Sequence, residues 1–341
     1  MSNDFKFSAG GRPLRVRPQT LLGWLAGLLV MVSPGARAQA AADLKYGLYI
    51  HFGMDTFRHA GEKGELPVAR FAPVRVDVQQ WARTAKEAGM TFAVLTAKHE
   101  TGFCLWDSQD NDYDIAQSPY RRDLLADFIA ACQAEGLVPG VHYSIPDNHN
   151  EGGVHFNGPV PPPYFKVIRQ HFTELCTKYP DLRIIIPNGT PRLSPAQLEE
   201  LQQIVHRLNP QCAVWPTQKG GTVGPHHESA TVNKNWMWSP NETLSPAPGL
   251  FKTYQQCRAA GKAFVLNVGP GPDGEIPANQ IAVLRQLKEL IANPPVVTET
   301  ATPDAKPDAA ARLKNLKSLH DQGLINQEDY DRKVKEIMDS L

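Results

Sequence analysis

Hydrophobic and polar positions along the middle of the chain follow two alternating rhythms. Short apolar runs at Tyr46–His51, Phe92–Ala97, Val138–Ser144, Arg183–Ile186, Cys212–Trp215 and Phe264–Val268 have the length and residue types of buried strands. Between them lie longer segments with helical spacing. Val78, Trp81, Ala82, Ala85 and Ala88 mark one apolar stripe within Val76–Ala88, and a second helix over Arg122–Glu135 is stopped by Gly136. Further helices are predicted over Tyr164–Tyr179, Pro195–Leu208 (with Ser194 as its cap), Leu250–Ala260 and Pro277–Ala292. Strands and helices taking turns in one run predict an α/β fold, a (β/α)8-type TIM barrel, irregular where a Gly/His-rich loop follows Trp215. A doubly wound sheet would want a Gly-rich turn after its first strand, and none follows Tyr46–His51.

The two ends break this rhythm. Arg12, Arg15 and Arg17 precede a twelve-residue apolar run, Leu21–Val32, and then Ala36-Arg37-Ala38. A charged region, a short apolar core and an A-x-A site predict a signal peptide over residues 1–38, hence an exported chain, periplasmic or extracellular. The run is too short to span a bilayer. The barrel is predicted over 39–292, a Pro/Thr/Ala linker over 293–311, and a helical hairpin over 312–341. In the hairpin, Leu313, Leu316 and Leu319 line one helix and Tyr330, Val334 and Ile337 the other. So small a hairpin cannot bury its apolar face alone, which predicts self-association or docking.

Composition removes some function classes. Among 341 residues, 35 are basic and 35 acidic, so no nucleic-acid partner is implied. Five scattered cysteines, Cys104, Cys132, Cys176, Cys212 and Cys257, form no CxxC pair and read as free buried thiols.

In a barrel, chemistry comes from the carboxyl ends of the strands. Those ends carry His51-Phe52-Gly53, Lys98-His99-Glu100, His142-Tyr143-Ser144 with Asp147 and His149 beyond, Asn188-Gly189, His226-His227-Glu228 with Trp236 and Trp238 following, and Asn267. Histidines, carboxylates and tryptophans around one mouth suit a polyhydroxylated ligand, whose hydroxyls take polar partners and whose apolar face stacks on indole. No His pair sits at i, i+4 on a helix, and His226 and His227 point apart on an extended chain, so no metal is expected. With no G-x-S-x-G elbow and no phosphate-binding loop, two-carboxylate glycoside hydrolysis is the chemistry that remains.

Three blocks carry a resemblance: Lys45–Gly53 (KYGLYIHFG), Leu95–Trp106 (LTAKHETGFCLW) and Phe264–Pro277 (FVLNVGPGPDGEIP). Together they resemble the α-L-fucosidases of glycoside hydrolase family 29, over residues 44 to 292, closer to the branch acting on α-1,3/1,4-linked fucose. The segment Leu316–Ile325 with Glu328–Asp331 resembles the short C-terminal domain called SHOCT. The first resemblance implies fucosylated oligosaccharides or glycoconjugates as substrates, no cofactor, and a retaining mechanism in which one carboxylate attacks the sugar and another protonates the leaving oxygen. It implies contacts to fucose from His51, His99, Tyr143, Asp147, His149 and Glu62 (or Glu65), with Trp236 near by, and gives Glu228 the acid/base position. Two positions depart from the pattern: Glu100-Thr101 replaces a His-Asp pair, and Asn188 replaces the aspartate nucleophile. An amide cannot form the glycosyl ester that a carboxylate forms. Three outcomes follow: a fucosidase with a displaced nucleophile such as Glu100, a catalytically silent fucosylated-glycan-binding protein, or conversion of Asn188 to aspartate by deamidation at Asn188-Gly189.

Overall fold

The computed structural model describes residues 44–151, 158–218, 222–295, 312–314, 316–317, 320 and 327–338. The predicted signal peptide and all but the first three linker residues lie outside them. The strands are β1 (Tyr46–Ile50), β2 (Phe92–Lys98), β3 (Val138–Ser144), β4 (Ile184–Asn188), β5 (Ala213–Val214), β6 (His227–Thr231) and β7 (Ala263–Val268). The helices are α1 (Val78–Glu87), α2 (Leu124–Ala134), α3 (Pro162–Lys178), α4 (Pro195–Leu208), α5 (Ala247–Ala259), α6 (Ala278–Ala292) and α7 (Gln327–Met338).

Helix starts are set by side-chain caps. Asp77 accepts from the Gln80 N–H and Asp123 from the Ala126 N–H, so α1 and α2 each begin two residues later than the apolar stripe suggested. At α4, Ser194 and Gln197 form the reciprocal capping box, and the predicted start holds.

All strand pairs are parallel, in the order β5-β4-β3-β2-β1-β7-β6. That is the cyclic order of a barrel cut once, between β5 and β6, and it lacks the reversal of direction of a doubly wound sheet. The eight-strand closure expected from the sequence is therefore corrected: among the described residues there are seven strands in an open, curled sheet, and no helix separates β5 from β6. β6 falls in the stretch that the sequence predicts as loop. Its residues, His227–Thr231, lack an apolar run; pairing with β7 makes them a strand.

The sheet separates two apolar layers. Outward residues such as Leu48, Ile50, Leu95, Val141, Ile185 and Leu266 pack beneath the helices. A smaller inner cluster of Tyr49, Phe92, Val94, Ile184, Ile186, Trp215, Ala263 and Val265 fills the concave side. The parity of side chains along each strand decides which layer a residue enters. In the C-terminal region, α7 is the described second helix of the hairpin, and its Tyr330 ring lies 4.7 Å from that of His320.

Candidate active site

At the carboxyl ends, inward parity assembles a pocket of about 220 Å3. β1 contributes Tyr49 and His51, β3 His142, β4 Asn188 and β6 Ser229, while His99, Glu100, Thr222 and Trp236 complete the wall. The rings of His51, His99 and His142 form a triangle with centroid separations of 5.3, 5.5 and 6.0 Å, and Trp236 stands 5.0 Å from His51.

The tautomer of His51 follows from its neighbour. Asn267 donates through Nδ2 to the carbonyl of Trp236 (2.9 Å), which fixes the amide so that Oδ1 faces His51 Nδ1 at 2.6 Å. Nδ1 therefore carries the proton, and Nε2 is left as an acceptor. Burial, with His99 near by, holds the pKa of His51 well below its usual value despite the bond to Asn267. Burial and then the neighbouring His51, His99, Lys98 and His227 do the same to His142. Both are neutral near pH 7, so the pocket offers uncharged donors and acceptors, suited to hydroxyls. His142 is 1 % exposed, and neither ring nitrogen has a hydrogen-bond partner among the described residues. An unpaired buried polar group costs about 1–3 kcal/mol, which a ligand hydroxyl would offset.

His99 is backed by Asp55, with Nδ1 and Oδ2 3.5 Å apart. Burial raises the Asp55 pKa, but the bonds and charges of His99 and Arg58 outweigh it and hold the carboxyl below its usual range. Beyond Glu100 opens a second, wider cleft of about 720 Å3 lined by Asp55, Arg58, Glu62, Glu65 and His149, with Glu100 common to both spaces. Its charged groups are mostly paired. Arg70 holds Glu62 at 3.1 Å, and His149 bridges Glu65 (2.8 Å) and Asp112 (3.1 Å) while stacked on Tyr113.

The structure thus brings His51, His99, Glu100, Asn188 and Trp236 together in the pocket and puts Glu62 and His149 in the adjoining cleft. It turns three expected residues elsewhere. Tyr143 has outward parity: its hydroxyl meets His171 Nδ1 at 2.8 Å on the helix side, and its neighbour His142 takes the inward place. Asp147 is fully buried against Lys98 Nζ at 2.8 Å, with Tyr164 and Asn150 also donating to it. A register shift between Thr96 and Lys98 turns Lys98 outward to meet it and lets His99 enter the pocket. Glu228 pairs in register with Phe264, an outward residue, and its carboxylate lies beside the Cys257 thiol of α5, which burial and that charge push up to about 12. The acid/base position that the resemblance gave to Glu228 is therefore on the wrong face of the sheet.

Tyr49, His142, Thr222 and Ser229 line the pocket outside the expected contacts to the sugar, although His142 stands at a strand end that the sequence marks. Strand parity would have found the first two, since Tyr49 lies two residues before His51, and His142 two after Gly140, which abuts the inward Val94 and Ile184. Thr222 and Ser229 carry no sequence signal, because β6 has no apolar run.

Asn188 ends β4 in strand geometry, its carbonyl accepting from the Ile145 N–H at 2.8 Å. Gly189 follows at φ +80°, and a Cβ there would sit 2.6 Å from Pro146, so no other residue fits without displacement. Among the described residues no group of three His, Cys, Asp or Glu side chains is arranged to hold a metal ion.

A family model described as Alpha-L-fucosidase matches residues 65–292, and one described as Short C-terminal domain matches residues 311–338. Alpha-L-fucosidase 1 of Arabidopsis thaliana is 24% identical over 293 residues, 71% of this chain; the chain spans 57% of that relative's length. Unliganded alpha-L-fucosidase AlfC from Lactobacillus casei superposes with a TM-score of 0.63 at 22% identity, covering 74% of this chain and 98% of the other. An alpha-L-fucosidase of glycoside hydrolase family 29 from Bacteroides thetaiotaomicron gives a TM-score of 0.63 at 19% identity, over 76% and 74% of the two chains. These superpositions show a shared fold, and with two thirds of its length matched by the family model, the chain belongs to the alpha-L-fucosidase family.

Proposed function

We propose that this chain is an α-L-fucosidase-like glycoside hydrolase that takes the terminal L-fucose of a glycoconjugate into the imidazole pocket. The carrying observation is His142, buried at the pocket wall with both ring nitrogens unpartnered, beside a His51 whose Nε2 is an acceptor. A one-ring-sized space walled by two neutral imidazoles, with a tryptophan on one side, selects a monosaccharide with several hydroxyls and an apolar face, as in a deoxy sugar. Residues 1–38 support export to the periplasm or beyond, and the SHOCT-type hairpin supports self-association or docking.

A retaining route needs two carboxylates about 5 Å apart. Among the described residues Glu100 is the carboxylate lining the pocket, and Asn188 stands where a nucleophile is expected. That observation favours a second reading, a protein that binds fucosylated glycans without cleaving them. Deamidation of Asn188 is opposed by its surroundings. The attacking nitrogen would be that of Gly189, which donates to Thr217 Oγ1 at 3.2 Å within a loop that Pro146 crowds. The test is fucose release from a nitrophenyl α-L-fucoside by the purified chain, with L-fucose binding measured by calorimetry. Binding with release supports the hydrolase, binding without release supports the second reading, and absence of both removes the pocket assignment.

A further inference from the structure

Among the described residues Glu100 occupies a place no other acidic residue shares: it lines both the imidazole pocket and the charged cleft. We propose that Glu100 is the catalytic acid of this chain, set where the glycosidic oxygen joining fucose in the pocket to its leaving group in the cleft would lie. The inference rests on the fucosidase reading above and adds the role of one side chain to it.

Three observations carry it. The first is the absence of a locking cation. Asp55 is bound by Arg58 at 2.7 Å and Glu62 by Arg70, and a carboxylate locked to a guanidinium stays ionised and cannot act as an acid, while Glu65 is engaged by His149 at 2.8 Å. The Glu100 carboxylate makes no hydrogen bond or ion pair with any described residue. The second is position, since its natural rival, Glu228, lies across the sheet beside Cys257.

The third is a supporting frame. Two residues upstream, Lys98 is clamped to Asp147. Two residues downstream, Gly102 lies at φ +88°, where a Cβ would come within 2.4 Å of Asp147 Oδ1. The Glu100 carbonyl itself accepts from the Asn148 N–H at 2.8 Å. Both feet of the Glu100 loop therefore press on one buried aspartate, so Asp147, expected to touch sugar, acts as a positioning residue.

In the step assigned to Glu100, the bond between the anomeric carbon and the glycosidic oxygen breaks with its electron pair passing to that oxygen. Glu100 supplies the proton that neutralises the leaving group. Water forms the new bond to the anomeric carbon, and the proton it sheds passes through solvent to restore the acid. One water is consumed for each fucose released.

The experiment compares the parent chain with Glu100→Gln and Glu228→Gln on two donors, a nitrophenyl α-L-fucoside and a fucosyl disaccharide. A nitrophenolate departs without help, whereas a sugar alkoxide needs the proton. Glu100→Gln is expected to lose roughly 10²–10⁴-fold in kcat on the disaccharide and under about tenfold on the nitrophenyl donor. The alkaline fall of the parent pH–rate profile should vanish. Glu228→Gln should leave the ratio between donors where it was. An equal loss on both donors, or no loss, overturns the assignment while leaving the hydrolase reading intact. A parent chain that binds fucose but cleaves neither donor overturns both.

Discussion

The pocket and the cleft share Glu100 but solve opposite electrostatic problems. In the pocket, His51 and His142 are taken out of water until they stay neutral, so recognition by them rests on directional hydrogen bonds. In the cleft, groups keep their charge and are pinned in pairs, Glu62 with Arg70 and Asp55 with Arg58. Neutral imidazoles can accept from or donate to a hydroxyl at little reorganisation cost. Paired charges at a wet rim contribute little binding energy, and instead shape the entrance. The comparison therefore assigns affinity to one side of Glu100 and access to the other.

Acid should break the two sides in different windows, with the largest effect on the imidazole side. His51 and His142 lie well below the ordinary value of 6.5 and His227 is lowered to about 4, as is, to about 3, His171 on the helix side of the sheet, burial being the leading cause in each. Below pH 6.5 the unfolded chain protonates these rings and the folded chain does not, so stability is complete above that pH and falls as pH drops toward 4. Each histidine contributes up to about 1.4 kcal/mol per pH unit in that range. Asp55, with its pKa held down, loses its contribution at lower pH, below the ordinary carboxylate value of 3.8. Denaturant midpoints measured from pH 7.5 to 4 should slope steeply; a flat profile down to pH 5 would contradict the neutral-imidazole account.

Next in size is the frame beneath the boundary. Lys98→Met strands the Asp147 carboxylate in the interior and should cost about 3–5 kcal/mol in urea unfolding, with much of that recovered in Lys98→Met/Asp147→Leu. If the single and double variants unfold at the same midpoint, the pair is not what holds the loop.

Asn188→Asp sharpens the chemical half of the comparison. A carboxylate at the end of β4 supplies the second group of a retaining pair, and release of nitrophenol should rise on the order of 10²-fold, about 2.7 kcal/mol of barrier. A decrease would mean that the amide itself serves the reaction. Smallest is the separation of affinity from access. His142→Phe should weaken L-fucose binding about tenfold, near 1.4 kcal/mol, whereas His149→Phe should leave it alone. Calorimetry giving equal losses for the two would erase the distinction between pocket and cleft.

Much of the fold was legible because the inner strands are written in Val, Leu and Ile, as in Phe92–Ala97 and Phe264–Val268. Asp77 and Asp123 moved two helix starts inward, a local hydrogen bond overriding an apolar stripe. β6 was illegible because His227–Thr231 becomes a strand only by lying along β7. The site was read at the level of strand ends and missed at the level of parity. Choosing Tyr143 over His142, or trusting Glu228, amounts to a one-residue slip, which moves a side chain through the sheet. The shift between Thr96 and Lys98 is another such slip, made by the backbone itself, and no spacing rule reveals it.

The cut between β5 and β6 has a mechanical consequence for the pocket. His51, His99 and His142 sit on or just beyond strands hydrogen-bonded on both flanks, a stiff arc. Ser229 belongs to a strand with a single strand neighbour, and the short segment Thr222–Gly224 pairs with its outer side through two bonds, Ser229 N–H to Thr222 O at 2.7 Å and Gly224 N–H to His227 O at 2.8 Å. The cavity thus has an anvil and a spring. A substituent added to the ligand on the imidazole side meets a wall that cannot yield, while the same bulk on the Ser229 side is taken up by compliance of a strand with one neighbour. Tolerance for altered sugars should therefore be directional, and changes in loop length can accumulate along the free edge without disturbing the register of the remaining six strands.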